Sequence, residues 1–67
     1  MYVNLIAMQA VKHLTDAEMA RIIGVGRTTY KSRLEREIFT VEDCRALCDF
    51  FDRKFEWLFA KDKELGS

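Results

Sequence analysis

Apolar residues recur along this chain at helical spacing, and the spacing is interrupted only where a cap or a glycine stands, which outlines a series of helices. The clearest stretch is Leu14 to Glu37, LTDAEMARIIGVGRTTYKSRLERE, which reads as two short helices joined by a glycine-containing turn. Thr15 followed three residues later by Glu18 is a capping box. The hydroxyl accepts from an orphan N–H of the first turn, and the carboxylate accepts from the N–H of the cap itself. Met19, Ile22 and Ile23 then make one apolar stripe, and Gly24 supplies the left-handed residue that stops a helix. Val25 plugs the corner. From Gly26 a second helix carries Tyr30 and Leu34 inward, while Arg27, Thr28, Lys31, Ser32 and Glu35 share the opposite face.

The flanking segments continue the pattern. YVNLIAMQAVKH, Tyr2 to His13, predicts a first helix with almost no charge before Lys12. Leu5 and Met8, with Tyr2 or Met1 below them, form one stripe; Val3, Ile6, Ala7 and Ala10 form a second beside it. One stripe suffices for a core. The second is either extra buried width in a tiny domain or a partner surface made of Val3, Ile6 and Ala10. Downstream, Ile38 and Phe39 read as an apolar link tucked under the bundle, and Thr40 with Asp43 repeats the cap signature. Val41, Cys44, Leu47, Cys48 and Phe51 follow the helical period, predicting that this fourth helix, ending near Asp52, is the most buried element. Beyond Arg53 and Lys54, FEWLFA predicts a fifth helix over Phe55 to Ala60, with Phe55, Leu58 and Phe59 inward and Trp57 facing elsewhere. Residues 1–60 are thus expected to form one domain, followed by a charged, frayed tail from Lys61 to Ser67.

Composition narrows the class. With no proline, three glycines and few β-branched runs, an all-α bundle of five helices is favoured over any sheet. At 67 residues and 49% hydrophobic content, the chain is near the lower limit for a self-sufficient core. No apolar run approaches the roughly 18 residues that span a bilayer, and the start lacks a basic signal-peptide segment, so a cytoplasmic protein with no membrane partner is expected. Cys44 and Cys48, four apart on one side of a helix, read as small buried apolar groups and not as a disulfide framework. A zinc site joining them to His13 lacks a fourth ligand and any known spacing. His13, alone at a helix end, suits a helix-dipole or surface role. No acid–base pair, nucleophile with its base, or phosphate-binding glycine loop is present, so no enzyme, metal or cofactor is expected.

The net charge of zero conceals an uneven distribution. Residues 27–36 carry plus three and residues 37–52 carry minus four. Positive charge is focused on the third helix, where it would orient the molecule on a phosphate surface while the acidic remainder restrains non-specific affinity. The plain alternative is a solvated helix face.

The ordered set of five helices, with a capped second helix, the Gly24-Val25-Gly26 turn and a basic third helix, resembles the lambda repressor and Cro-like helix-turn-helix family, also called the Xre family. LTDAEMARIIGVGRTTYKSRL resembles its motif, with Ala20 in mid-helix, and FTVEDCRALCDFFDRKFEWLF resembles the fourth and fifth helices of phage-type members; the likeness runs from Leu5 to Phe59. It implies a compact DNA-binding domain whose third helix lies in the major groove of double-stranded DNA. Carried over by position, Arg27, Thr28 and Ser32 become base-reading candidates, and Thr15, Thr29, Lys31, Arg33 and Arg36 phosphate contacts. Four features depart from the pattern. Asp16 stands where a glutamine is common, Glu35 and Glu37 dilute the basic face, the glycine that often ends helix three is missing, and Lys54 replaces a capping serine.

The function implied is a phage- or prophage-like transcriptional repressor working as a homodimer, its two reading helices about 34 Å apart. Trp57 with Phe59 would form the dimer contact, or alternatively Val3, Ile6 and Ala10. The rival reading is a protein-interaction module or antirepressor that presents helix one to a protein partner, motivated by the zero net charge and the acidic fourth helix. An RNA-binding role has no stacking aromatics on the basic face to support it.

Overall fold

The computed structural model describes residues 1–62 as five helices, with no strand among them. They are α1 (Val3–Val11), α2 (Asp16–Ile23), α3 (Arg27–Arg36), α4 (Val41–Phe51) and α5 (Phe55–Leu58). The chain is an all-α, five-helix domain in which α2 packs closely on α3 as a helix-turn-helix-like pair and also abuts α4. None of these helices is long and apolar enough to cross a membrane. Of the expected tail, residues 63–67 lie outside the described residues.

Both expected caps are formed. Thr15 Oγ1 accepts from the Glu18 N–H at 3.1 Å and Glu18 returns the bond to the Thr15 N–H at 2.9 Å. Thr40 and Asp43 do the same at 3.1 Å each way. The helix ends share one solution. Leu14, Val25, Ile38 and Arg53 each donate a backbone N–H to the carbonyl five residues back, at Gln9, Ala20, Arg33 and Cys48. This is the hydrogen bond of the Schellman motif, which needs a left-handed residue just before the donor. Gly24 fills that position at φ 76° without steric cost, but His13 (φ 56°), Glu37 (φ 57°) and Asp52 (φ 54°) fill it with a Cβ. The missing glycine after helix three is therefore no obstacle to that helix ending there: Glu37 adopts the conformation itself.

The core is assembled from every helix: Leu5, Met19, Ala20, Tyr30, Leu47, Phe51 and Leu58, closed by Tyr2 and Phe59. Phe39, in the link between α3 and α4, binds its parts together. Its ring lies 6.0 Å from Tyr2, 6.0 Å from Tyr30 and 5.9 Å from Phe59, so one link residue touches α3, α5 and the start of α1. Asn4 Nδ2 adds a 2.8 Å bond to the Trp57 carbonyl, tying α1 to α5.

Four expectations about burial need correction. Ile38 does not tuck under the bundle; it is 49% exposed, and only Phe39 turns inward. Helix α4 is rolled from the expected angle: its buried ridge is Asp43, Leu47 and Phe51, four apart, and Cys44, Cys48 and Val41 lie successively further round. The two cysteines are consequently half-buried and free, and Val41 is 72% exposed. Helix α5 is one turn, ending at Leu58, with no side-chain cap on Lys54. Phe55 opens that turn and is 56% exposed, stacked on Phe59 at 5.2 Å, because a single turn can direct only one side inward and Leu58 and Phe59 occupy it.

Candidate nucleic-acid interface

Helix α3 follows Gly26, which has no side chain with which to cap it, so the positive end of the helix dipole carries no side-chain cap. Arg27, Thr28 and Thr29 are exposed on that turn. The roll of the helix is fixed from behind: Tyr30 is fully buried and Leu34 packs at the core's edge. At about 100° per residue, Thr28, Ser32 and Glu35 then occupy the middle of the outward face, with Lys31 toward one edge and Thr29 and Arg36 toward the other; Arg27 lies on the Leu34 side of the helix and is exposed in its first turn. Cations thus border a strip of two hydroxyls and one carboxylate, Glu35, whose charge is met by Lys31 at 3.9 Å; hydroxyls between cations suit a groove whose walls are phosphates and whose floor is base edges. Ser32 is only half-exposed, so it is the most recessed of the three base-reading candidates.

Arg33 does not belong to this face. Its Nη1 donates to Asp43 Oδ2 at 2.7 Å, with the aspartate side chain 5% and the arginine side chain 28% exposed. It points to the start of α4 because its position on α3 is beside Tyr30, on the inward flank, and it compensates a carboxylate that would otherwise be buried alone. Arg33 is removed from the phosphate set, which leaves Thr15, Thr29, Lys31 and Arg36. Thr15 is exposed, but its hydroxyl is engaged at the cap: it accepts from the Glu18 N–H and lies against the Glu18 carboxylate.

Asp16, at the first position of α2, is held by an unforeseen chain of hydrogen bonds. Tyr30 donates its phenolic proton to Gln9 Oε1 at 2.8 Å, and Gln9 Nε2 donates to Asp16 Oδ1 at 2.9 Å and to the Leu14 carbonyl at 3.1 Å. The carboxylate's other oxygen lies 3.9 Å from Lys31 Nζ, which is also 3.9 Å from Glu35. Asp16 thus looks across to α1 and α3, and its charge is partly answered by Lys31 and the Gln9 amide. Burial, reinforced by the Asp16 carboxylate, pushes the Tyr30 phenol well above its ordinary range, so it stays a neutral donor. The network fixes the relative placement of α1, α2 and α3. Its signal in the sequence was Gln9, a lone amide in the middle of an almost uncharged helix.

Glu37, the other acidic residue near the basic face, is likewise occupied: it accepts from the Met1 amino group at 2.8 Å and lies 3.7 Å from Lys61 Nζ. Of the interface residues expected elsewhere, Trp57 is exposed, under the Arg53 guanidinium at 5.7 Å, but Phe59 is buried against Tyr2 and cannot contact a partner. Ile6 and Ala10 are exposed and Val3 is half-buried. Ile6 and Ala10 border a groove that continues to Leu34, Lys31 and Glu35, so the second stripe of α1 adjoins the basic face. Among the described residues no group of three or more His, Cys, Asp or Glu is placed to hold a metal ion.

Comparison of the chain with models of known protein families, with curated proteins and with solved structures finds no match.

Proposed function

We propose that this protein is a sequence-specific, double-stranded-DNA-binding transcriptional regulator of the lambda repressor and Cro-like kind, phage- or prophage-like in role, that docks α3 in the major groove as a homodimer. The observation that supports this best is the exposed first turn of α3, where Arg27 and Thr28 stand at a helix start that carries no side-chain cap while buried Tyr30 fixes the helix's rotation. In this reading Arg27 makes a bidentate contact to guanine, Thr28 offers its hydroxyl or methyl group, and Ser32 lies deeper. Thr15, Thr29, Lys31 and Arg36 hold the phosphates.

The test is a fluorescence-anisotropy titration with mixed-sequence duplex at low salt, followed by selection of bound sequences from random DNA. Arg27→Ala is expected to cost roughly 1–3 kcal/mol on the selected site and to relax preference at one base pair, whereas Lys31→Ala weakens all sequences alike and lowers the salt slope by about 1. Equal losses for both variants on selected and random duplex would remove the base-reading assignment. A second reading is a protein-interaction module or antirepressor without specific DNA binding that presents Val3, Ile6 and Ala10 of α1 to a protein partner; the groove that Ile6 and Ala10 border supports it. Absence of any salt-dependent DNA affinity would favour it.

A further inference from the structure

The roll of α4 leaves an apolar groove that the fold itself does not fill. Val41, Cys44, Cys48 and Phe55 line it, and Arg45 and Asp49 stand on its rim. Val41 and Phe55 are among the most exposed large apolar side chains in the domain, and an apolar patch edged by charge is the usual form of a protein contact surface. Arg45 and Asp49 are four apart on one helix, yet neither forms an ion pair among the described residues. Two opposite charges one turn apart are self-complementary under a twofold axis, since an antiparallel copy of α4 brings Arg45 of one chain to Asp49 of the other, twice.

We propose that this groove is the contact between two copies of the chain, with α4 crossing α4 of the second copy antiparallel, Val41, Cys44, Cys48 and Phe55 forming the apolar centre and the Arg45–Asp49 pairs fixing register. Glu42 and Asp52 would meet as like charges if the helices lay strictly parallel to a common line. Each lies about 7.5 Å along the axis from the crossing, and packed helices diverge away from it, so the attractive inner pairs dominate. The inference rests on the dimeric regulator proposed above and replaces Trp57 and Phe59 with a different surface. Burial pushes both thiols above their ordinary range, so the groove's floor is uncharged at neutral pH and suited to apolar contact.

The test is sedimentation of the full chain without DNA, over the micromolar range, with Arg45→Asp and Asp49→Arg. Both side chains are exposed and unpaired, so either change leaves the fold in place, which circular dichroism checks. Wild type is expected to dimerise. Each variant alone juxtaposes like charges and weakens its dimer about tenfold or more, while an equimolar mixture of the two restores a heterodimer near wild-type affinity, because every rim contact is again between opposite charges. A monomeric wild type, or variants that dimerise as tightly as wild type, overturns the proposal. Anisotropy with duplex DNA on the same samples separates the two readings: a monomer with salt-dependent DNA affinity fails the dimer while DNA binding stands, and a dimer without that affinity fails the regulator alone.

Discussion

Thr15 with Glu18 at the start of α2, and Thr40 with Asp43 at the start of α4, make the same reciprocal pair of hydrogen bonds at nearly the same distances. Their surroundings differ. Glu18 is in solvent and serves only its own helix, whereas Asp43 is buried and also accepts from Arg33, which crosses from α3. The first cap decides where one helix begins; the second decides how two helices join. One reason lies in the residue: the shorter aspartate keeps its carboxylate near the backbone, where Arg33 from α3 reaches it, while the longer glutamate reaches back from the surface.

The largest effect is expected at the buried cap. Asp43→Ala removes the capping carboxylate and leaves Arg33 half-buried with no counter-charge, at a cost of about 2–4 kcal/mol. In a domain whose total stability is on the order of 5 kcal/mol, that leaves about 1–3 kcal/mol and lowers the melting temperature by roughly 10–30 °C. Urea unfolding monitored by circular dichroism measures it, and a cycle with Arg33→Ala divides it: a coupling near zero would mean that Asp43 acts as a cap alone. If Arg33 were instead engaged mainly with DNA, Arg33→Ala would spare stability and weaken binding.

Thr15→Ala should cost about 1 kcal/mol, since it removes one hydrogen bond at a solvated helix end. The same substitution deletes a phosphate donor in the proposed complex, so DNA affinity should fall more than folding accounts for when measured well below the melting temperature. A loss confined to stability would return Thr15 to a purely structural role.

The two caps also mark what the sequence could and could not convey. Both were legible, because a capping box is local: a threonine and an acid three residues on define it wherever it sits. So were the Gly24 stop, the inward Tyr30 and the extent of the first four helices. What escaped was set by contacts far along the chain. Arg33 looked like any other cation on α3 because its partner is ten residues away on another helix. The roll of α4 escaped because Val41, Cys44 and Cys48 are apolar while the buried ridge includes Asp43, whose partner Arg33 lies on another helix, and a stripe of apolar positions does not count an aspartate. The hydrogen bonds from Tyr30 through Gln9 to Asp16 join three helices, and spacing within any one of them carries no trace of the arrangement. Thr28, Lys31 and Glu35 are outward as the period from buried Tyr30 requires, whereas Ser32 is half-exposed and Arg27 owes its exposure to the helix's first turn.

The smallest effect distinguishes the caps by pH. The Thr15 backbone N–H, and after it the Thr15 hydroxyl, hold the Glu18 carboxyl below its ordinary value of 4.5. A carboxyl whose folded pKa is depressed contributes stability that is fully present above the unfolded value and is lost as pH falls through the folded one. The contribution of Glu18 should therefore be constant at neutral pH and fade below about pH 4.5. Glu18→Gln keeps an acceptor for the Thr15 N–H but carries no charge, so its stability deficit against wild type should be measurable at neutral pH and vanish in acid. Because this carboxylate is in solvent, the deficit should also shrink when salt is raised, as the helix-dipole part of it is screened. A deficit that persists unchanged in acid would mean that the shape of the side chain, and not its charge, sustains the start of α2.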